Sequence, residues 1–284
     1  MGRAVTRPGL RPLLPWVGLG VLVLAQICYP LTVGATRAGL TVATVVLGYL
    51  LSVGHALLTR GPRAAATLVA VATGGGFAIE ALGVATGFPF GSYDYSGQLG
   101  PKLAGVPLVI PLAWTWMAWP AWLTAARLVS PGVARVALAA VGLAAWDLFL
   151  DPQMVAEGYW VWRDATPALP GLPGVPVSNY LGWLLFAVLL MAALRPLAGA
   201  VVDRAGPGDA PMFALYLWTY ASSILAHAVF LGLPASAVWG AAGMAVAAVP
   251  LALALGRDRR PGQPGQRPRQ DRQPQQGPPA DATA

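Results

Sequence analysis

The sequence predicts an all-α polytopic membrane helix bundle of about eight transmembrane helices, and three observations predict it. Hydrophobic residues make up 56% of the 284 residues and charged residues only 10%, against roughly a quarter charged in a soluble domain. Apolar stretches recur along the chain at about 20 residues each, the length that crosses a bilayer. Lysine and arginine alternate between connections, so that placing the N-terminus inside leaves 15 of the 18 on the inner side, the asymmetry of positive-inside topology.

The first span, about 13–33, follows a basic head. It reads as an uncleaved helix; the alternative is a signal peptide cut at "VGA". "MGRAVT" also fits a myristoylation pattern, which a multi-span protein does not need. Further spans follow at about 39–58, 64–84, 106–126, 131–150, 179–200, 211–232 and 235–255. Charges, glycines and prolines mark the breaks between them: "GATRAG", "TRGPR", "SPG", "DRAGPGD" and "GLPAS". Losing one span would reverse everything downstream and spoil the charge asymmetry, so eight spans with both termini cytoplasmic is favoured over seven. Residues 1–255 form the integral membrane domain. Residues 256–284 are rich in Pro, Gln and Arg without apolar periodicity, and are expected to form a disordered cytoplasmic tail. Much of the net charge of +7 lies in that tail, so it does not point to nucleic acid. Cys28 is the single cysteine and can form no intramolecular disulfide.

The acids are distributed differently from the bases. Glu80, Asp94, Asp147, Asp151, Glu157 and Asp164 all fall at the outer face or in the outer half of the membrane, so chemistry is expected in the extracytoplasmic half. In "WDLFLDP", Asp147 and Asp151 stand four residues apart and share a helix face. Pro152 is expected to end that helix at Asp151. Asp151 also reads as an interfacial carboxylate meeting water. Asp147 lies about 6 Å deeper and needs a partner, a proton or a wet cavity. Glu80 stands among apolar residues after Gly74, Gly75 and Gly76, which allow close helix packing. In such a site a carboxylic acid can keep a proton and donate it; pairing with Lys102 is the alternative. His227, in the outer half of span seven, reads either as a hydrogen-bonded structural residue or as one that reaches the acids, and His55 reads as an interfacial or packing residue.

Two long connections, 85–105 and 151–178, carry aromatics. The first presents Phe88, Phe90, Tyr93 and Tyr95 around Asp94; the second presents Tyr159, Trp160 and Trp162, with Tyr180 and Trp183 beyond. An interfacial aromatic belt would account for them too. The two regions share an order. Glu80 is followed by "GVP" at Gly105 and Asp147 by "GVP" at Gly174, each leading to a helix with an early tryptophan, Trp114 and Trp116 or Trp183. A degenerate repeat of helix pairs around one shared site is expected. No HxxxH, HxxE or paired-cysteine spacing supports a metal, and no Gly-rich or Walker motif supports a nucleotide.

Read in order, "EALG", "GFPFGSYDY", "WDLFLDPQM", "GYWVW" and "GVPVSNYLGW" resemble the membrane carotenoid-biosynthesis hydratases, the bacterioruberin-precursor and γ-carotene hydratases of archaea and bacteria. The resemblance covers about 75–185. It implies addition of water to the terminal C=C of an acyclic carotenoid end, giving a tertiary alcohol, in the cell membrane. Such a reaction needs a proton donor, a stabilised cation and a water, but no organic cofactor or metal. Asp147 or Glu80 would be the acid, with Asp151 or Asp94 orienting water. Phe90, Tyr93, Tyr95, Trp114, Trp146, Trp160, Trp183 and His227 would line the substrate pocket, where aromatic faces stabilise a cation. The partners implied are the carotenoid, water, the bilayer and other enzymes of the pathway. The rival readings are a non-catalytic carotenoid-binding or scaffold subunit and a proton-coupled transporter.

Overall fold

A computed structural model describes residues 12–198 and 205–258. The extreme N-terminus and the tail beyond 258, for which a disordered state was expected, lie outside the described residues. The chain begins with α1 (Leu14–Cys28), extended by one 3-10 turn to Leu31, then α2 (Gly34–Arg60). The third rod is α3 (Pro62–Leu68), a widened π segment Val69–Gly74 and α4 (Gly75–Thr86). A short loop carries β1 (Tyr93–Tyr95), β2 (Lys102–Leu103) and β3 (Val106–Pro107) before α5 (Ile110–Leu128). Next come α6 (Val133–Ala144), α7 (Asp147–Ala156), β4 (Trp160–Trp162) and α8 (Val177–Ala198). α9 (Ala210–Leu225), with a π turn to Phe230, and α10 (Pro234–Asp258) complete the described chain.

The rods coincide with the expected spans. Seven of them are long and apolar enough to cross a membrane. The remaining rod, α5, has 19 residues, about 28 Å of helical rise. It carries four tryptophans, two threonines and two prolines, and it is buried without a break from Ala113 to Ala126. The least apolar rod therefore sits in the middle, against α2, α4, α6, α9 and α10. Lipid is met by others: Leu181, Leu185 and Leu189 stand exposed on α8, as do Val17, Val21 and Leu24 on α1. A leucine facing hydrocarbon costs nothing, whereas an unpaired polar group there costs several kcal/mol.

Small residues allow the close approaches. A Cβ on Gly48 would meet the Trp116 ring at 2.5 Å, one on Gly76 the Trp114 ring at 2.9 Å, and one on Gly240 the Phe149 ring at 2.5 Å. Of the expected glycine triplet, Gly76 and Gly75 do face neighbours, Trp114 and Phe186, while Gly74 meets nothing within 4 Å.

Two differences from the sequence expectation concern α7. Span five breaks before Asp147, and Pro152 lies inside α7 rather than ending it. A proline removes the N–H that would bond the carbonyl four residues earlier, here that of Leu148. The Ser236 hydroxyl donates to that carbonyl at 2.7 Å instead. The same substitution occurs in α5: Pro120 leaves the Trp116 carbonyl free, and Ser52 donates to it at 2.8 Å. A hydroxyl from a neighbouring helix keeps each proline helix continuous.

The long connections hold two small antiparallel ribbons within the all-α frame. β2 pairs with β3, and β1 pairs with β4 in the register Tyr93 to Trp162, Asp94 to Val161 and Tyr95 to Trp160. The second ribbon ties the two aromatic connections into one cap.

Candidate active site

Strand alternation builds the site's roof. Successive side chains of a strand point to opposite faces, so Tyr93 and Tyr95 turn inward with Trp160 and Trp162, while Asp94 and Val161 turn outward. The inward rings pack edge to face or tilted, with centroids 5.4 Å apart for Tyr95 and Trp160 and 5.6 Å for Tyr93 and Trp162.

Beneath this roof, Glu80 of α4 accepts three hydrogen bonds. The hydroxyls of Tyr93 and Tyr95 reach its Oε2 at 2.7 and 2.8 Å, and Trp114 Nε1 reaches Oε1 at 3.0 Å. Burial pushes both phenols well above the ordinary tyrosine range, and the Glu80 carboxyl adds to the shift. They therefore stay protonated and donating. Lys102 does not pair with Glu80; its ammonium donates to the Tyr95 carbonyl at 2.5 Å.

A second acid centre faces the first. Asp147 and Asp151 are both buried, and the side-chain amide of Asn179, near the start of α8, donates to one oxygen of each, at 2.8 Å to Asp147. Asp147 Oδ1 has no protein partner. Among the described residues no ion pair reaches Glu80, Asp147 or Asp151.

Glu80 and Asp151 line one cavity of about 50 Å³, with Asn179, Phe90, Tyr93, Tyr95, Trp114, Trp160, Trp162 and Trp183 in its wall. The rings of Trp114 and Trp183 stack at 3.8 Å. Most of the expected substrate-binding aromatics thus converge. Two do not: Trp146 and His227 line a neighbouring cavity. His227 holds Gln153 at 3.1 Å and Ser236 at 2.9 Å instead of an acid. Because Ser236 gives its only hydrogen to Leu148, the ring must donate from Nδ1. His55 is a packing residue as expected, bonded to Trp119 and to the Gly208 carbonyl.

Asp94 is the clear correction. It lies on the outward face of β1 with its carboxylate 57% exposed, paired to Arg163 at 2.8 and 2.9 Å. That guanidinium holds Asp94 below the usual carboxylate range. Asp94 does not reach the cavity, and it cannot orient a water there. The residue missed was Asn179: a lone amide near a helix start looks like an interfacial residue. Its partners come from another helix, which no local pattern reveals.

The two expected helix pairs share a packing detail. Gly105 packs on Val84, four residues after Glu80, and Gly174 packs on Val155, four residues after Asp151. By that detail Asp151, rather than the expected Asp147, stands where Glu80 does. Each half supplies one wall acid, one aromatic strand and one tryptophan of the stack.

Comparison with known proteins identifies the family. A family model described as "Carotenoid biosynthesis protein" matches residues 40–255. The chain belongs to the carotenoid biosynthesis protein family. Its sequence is 38% identical over 122 residues to the bisanhydrobacterioruberin hydratase of Haloarcula japonica, a match covering 40% of this chain and 40% of that protein. The match therefore spans less than half of that relative. No solved structure matches. Within this family, a cavity walled by rings and roofed by an aromatic ribbon has the chemistry to hold a polyene end. Among the described residues, the carboxyl groups that line it are those of Glu80 and Asp151.

Proposed function

We propose that this member of the family is a cofactor-independent hydratase that adds water to the terminal C=C of an acyclic carotenoid, giving a tertiary alcohol. The observation that carries the reading is that Glu80 and Asp151 share one aromatic cavity with no Lys, Arg or His among the described residues that line it. Two carboxylates as close as Asp147 and Asp151, buried and bridged by a single amide, cannot both be charged without a large desolvation cost. The pair holds a proton, and Asp151, which meets the cavity, delivers it to the less substituted alkene carbon. The C=C electron pair forms the new C–H bond and leaves a tertiary cation. The faces of Trp114, Trp183 and Trp160 stabilise it by cation–π attraction, worth about 2 kcal/mol when desolvated.

Water then forms the C–O bond and surrenders a proton. Glu80 suits the base, because its three neighbours are all donors and hold its oxygens in place. Passing that proton back to the aspartate pair restores the starting state, so alkene plus water gives alcohol with nothing left over. The charge asymmetry supports an orientation with this end of the bundle at the extracytoplasmic face of the cell membrane, where a polyene spanning the bilayer brings its tip to water. The named activity of the Haloarcula japonica relative supports the reaction class.

The test is expression in a host that makes acyclic carotenoids, with extracted pigments weighed by mass spectrometry. The wild type should add the mass of one water per end group. Asp151→Asn and Glu80→Gln should lower the rate by about 10² to 10⁴, the usual worth of a positioned acid or base. Unchanged pigment in the wild type refutes the activity; full hydration by either variant refutes its role.

A further inference from the structure

Beside the acid cavity lies a second one of about 110 Å³, and its chemistry is different. Its wall presents Gln26, Thr44, Gln153, Ser222, Ser223 and His227, all groups that hydrogen-bond and none that is a carboxylate. Trp116 Nε1 and Thr219 Oγ1, on two further wall residues, are buried with no protein partner. Buried polar atoms without partners are rare, because each costs about 1 to 3 kcal/mol. Their presence on the wall of a roomy polar cavity points to a small hydrogen-bonding occupant. The two cavities are neighbours: Thr41, Val45, Leu150 and Met154 line both. Thr41 is the one polar residue of that shared wall.

We infer that the second cavity is a water chamber, which holds ordered water and passes it to the acid cavity past Thr41. The inference deepens the hydratase reading and rests on it for the use of the water, though not for its presence. The space is several times the roughly 10–15 Å³ that one water needs, and its wall offers several polar groups, which is what a buried water needs. The aromatic cavity offers a polyene an oily seat and few places for solvent. A separate store lets the two reactants enter without displacing each other. It also accounts for His227, which lines this cavity and not the acid one. Held through Ser236 at Nδ1, it presents Nε2 toward Gln153 on the chamber wall.

X-ray hydroxyl-radical footprinting of the detergent-solubilised protein reads the water directly, because radiolysis of a bound water oxidises the side chain beside it. Trp146 lines only the second cavity and is 4% exposed; Trp122 is 2% exposed and lines neither. Trp146 should be oxidised at a rate approaching that of exposed Trp16, with Trp122 protected. Equal protection of Trp146 and Trp122 would overturn the inference. Two variants test the supply. Ser223→Leu fills the chamber, and Thr219→Val removes a hydroxyl at constant shape. Each should reduce hydration turnover while polyene binding, read by quenching of tryptophan fluorescence, is retained. A Thr219→Val protein that melts higher and turns over at the wild-type rate marks a dry cavity and sinks the proposal. Oxidised Trp146 in a wild type that hydrates no polyene would refute the activity and leave the chamber standing.

Discussion

Tyr93 and Tyr95 place two phenol hydrogens on a single oxygen of Glu80. Removing one by Tyr95→Phe leaves Tyr93 and Trp114 in place, so the carboxyl should stay oriented, with stability lowered by about 1 kcal/mol, the net worth of one such bond. Thermal unfolding in detergent checks this, and the Tyr93→Phe/Tyr95→Phe double variant should lose more than the sum of the singles. The phenols also set an alkaline limit. Their folded-state titration lies above the ordinary value of 10.0. Below pH 10 both states are protonated and they contribute no pH dependence. Above it the unfolded chain releases protons that the folded chain keeps, so stability falls as pH rises. Tyr93→Phe should flatten that alkaline slope. Asp94, their chain neighbour, belongs to a different world. Its exposed pair with Arg163 is screened by solvent. Asp94→Asn should leave both hydration and the melting midpoint at neutral pH unchanged, in contrast to Asp151→Asn. What small contribution the pair makes is present above the usual carboxylate range and lost as pH falls below it, because its folded-state value is depressed. Glu80, Asp147 and Asp151 were legible in the sequence because a carboxyl among apolar neighbours needs a reason. Asp94 was misjudged because two residues adjacent in a strand face opposite ways, and an all-helical reading of a loop contains no such alternation.

The helices show a recurring device at proline. Pro152 and Pro120 each remove a backbone donor, and Ser236 and Ser52 each restore one from the next helix. Without water in the bilayer core, the freed carbonyl has no other donor to turn to. Ser236→Ala should therefore destabilise the bundle by about 1 to 3 kcal/mol, the cost of stranding a buried acceptor. In a Pro152→Ala background the helix supplies its own N–H to Leu148, and the same Ser236→Ala change should cost less. Thermal unfolding of the four proteins completes the double-mutant cycle; equal costs in both backgrounds would deny that the serine serves the proline. This device explains why the rods could be read from hydropathy while the behaviour of "WDLFLDP" could not. Length and apolarity are local properties. Whether a proline ends a helix depends here on a serine 84 residues away in the sequence. The β1–β4 ribbon and the Asn179 bridge are likewise long-range pairings with no local signature. The GVP motifs suggested a two-fold plan around Glu80 and Asp147, and the packing on Val84 and Val155 matches Glu80 with Asp151 instead.

At the scale of the whole molecule, the reading depends on the rod ends that carry Glu80, Asp147 and Asp151 emerging on one side. The ends of α4 and α7 and the starts of α2, α5 and α8 gather at the ribbon: Arg37 pairs with Glu157, Tyr95 with Glu80, and Asn179 with the aspartates. The opposite end carries Arg60 bound to Asp209 at 2.7 Å and Arg127 bound to Asp258 at 2.6 Å. Basic residues crowd that second end, so it should face the cytoplasm. The single cysteine makes the orientation measurable, since Cys28→Ala provides a thiol-free background. Asp94→Cys, on the exposed face of β1, should react with a membrane-impermeant maleimide added to cells or right-side-out vesicles. Ser130→Cys, exposed in the turn between α5 and α6, should react only after the membrane is opened. The reverse pattern would invert the bundle and bring the polyene tip to the cytoplasmic leaflet. The acid cavity and its neighbour would be unchanged, but the water would then be drawn from the cell interior.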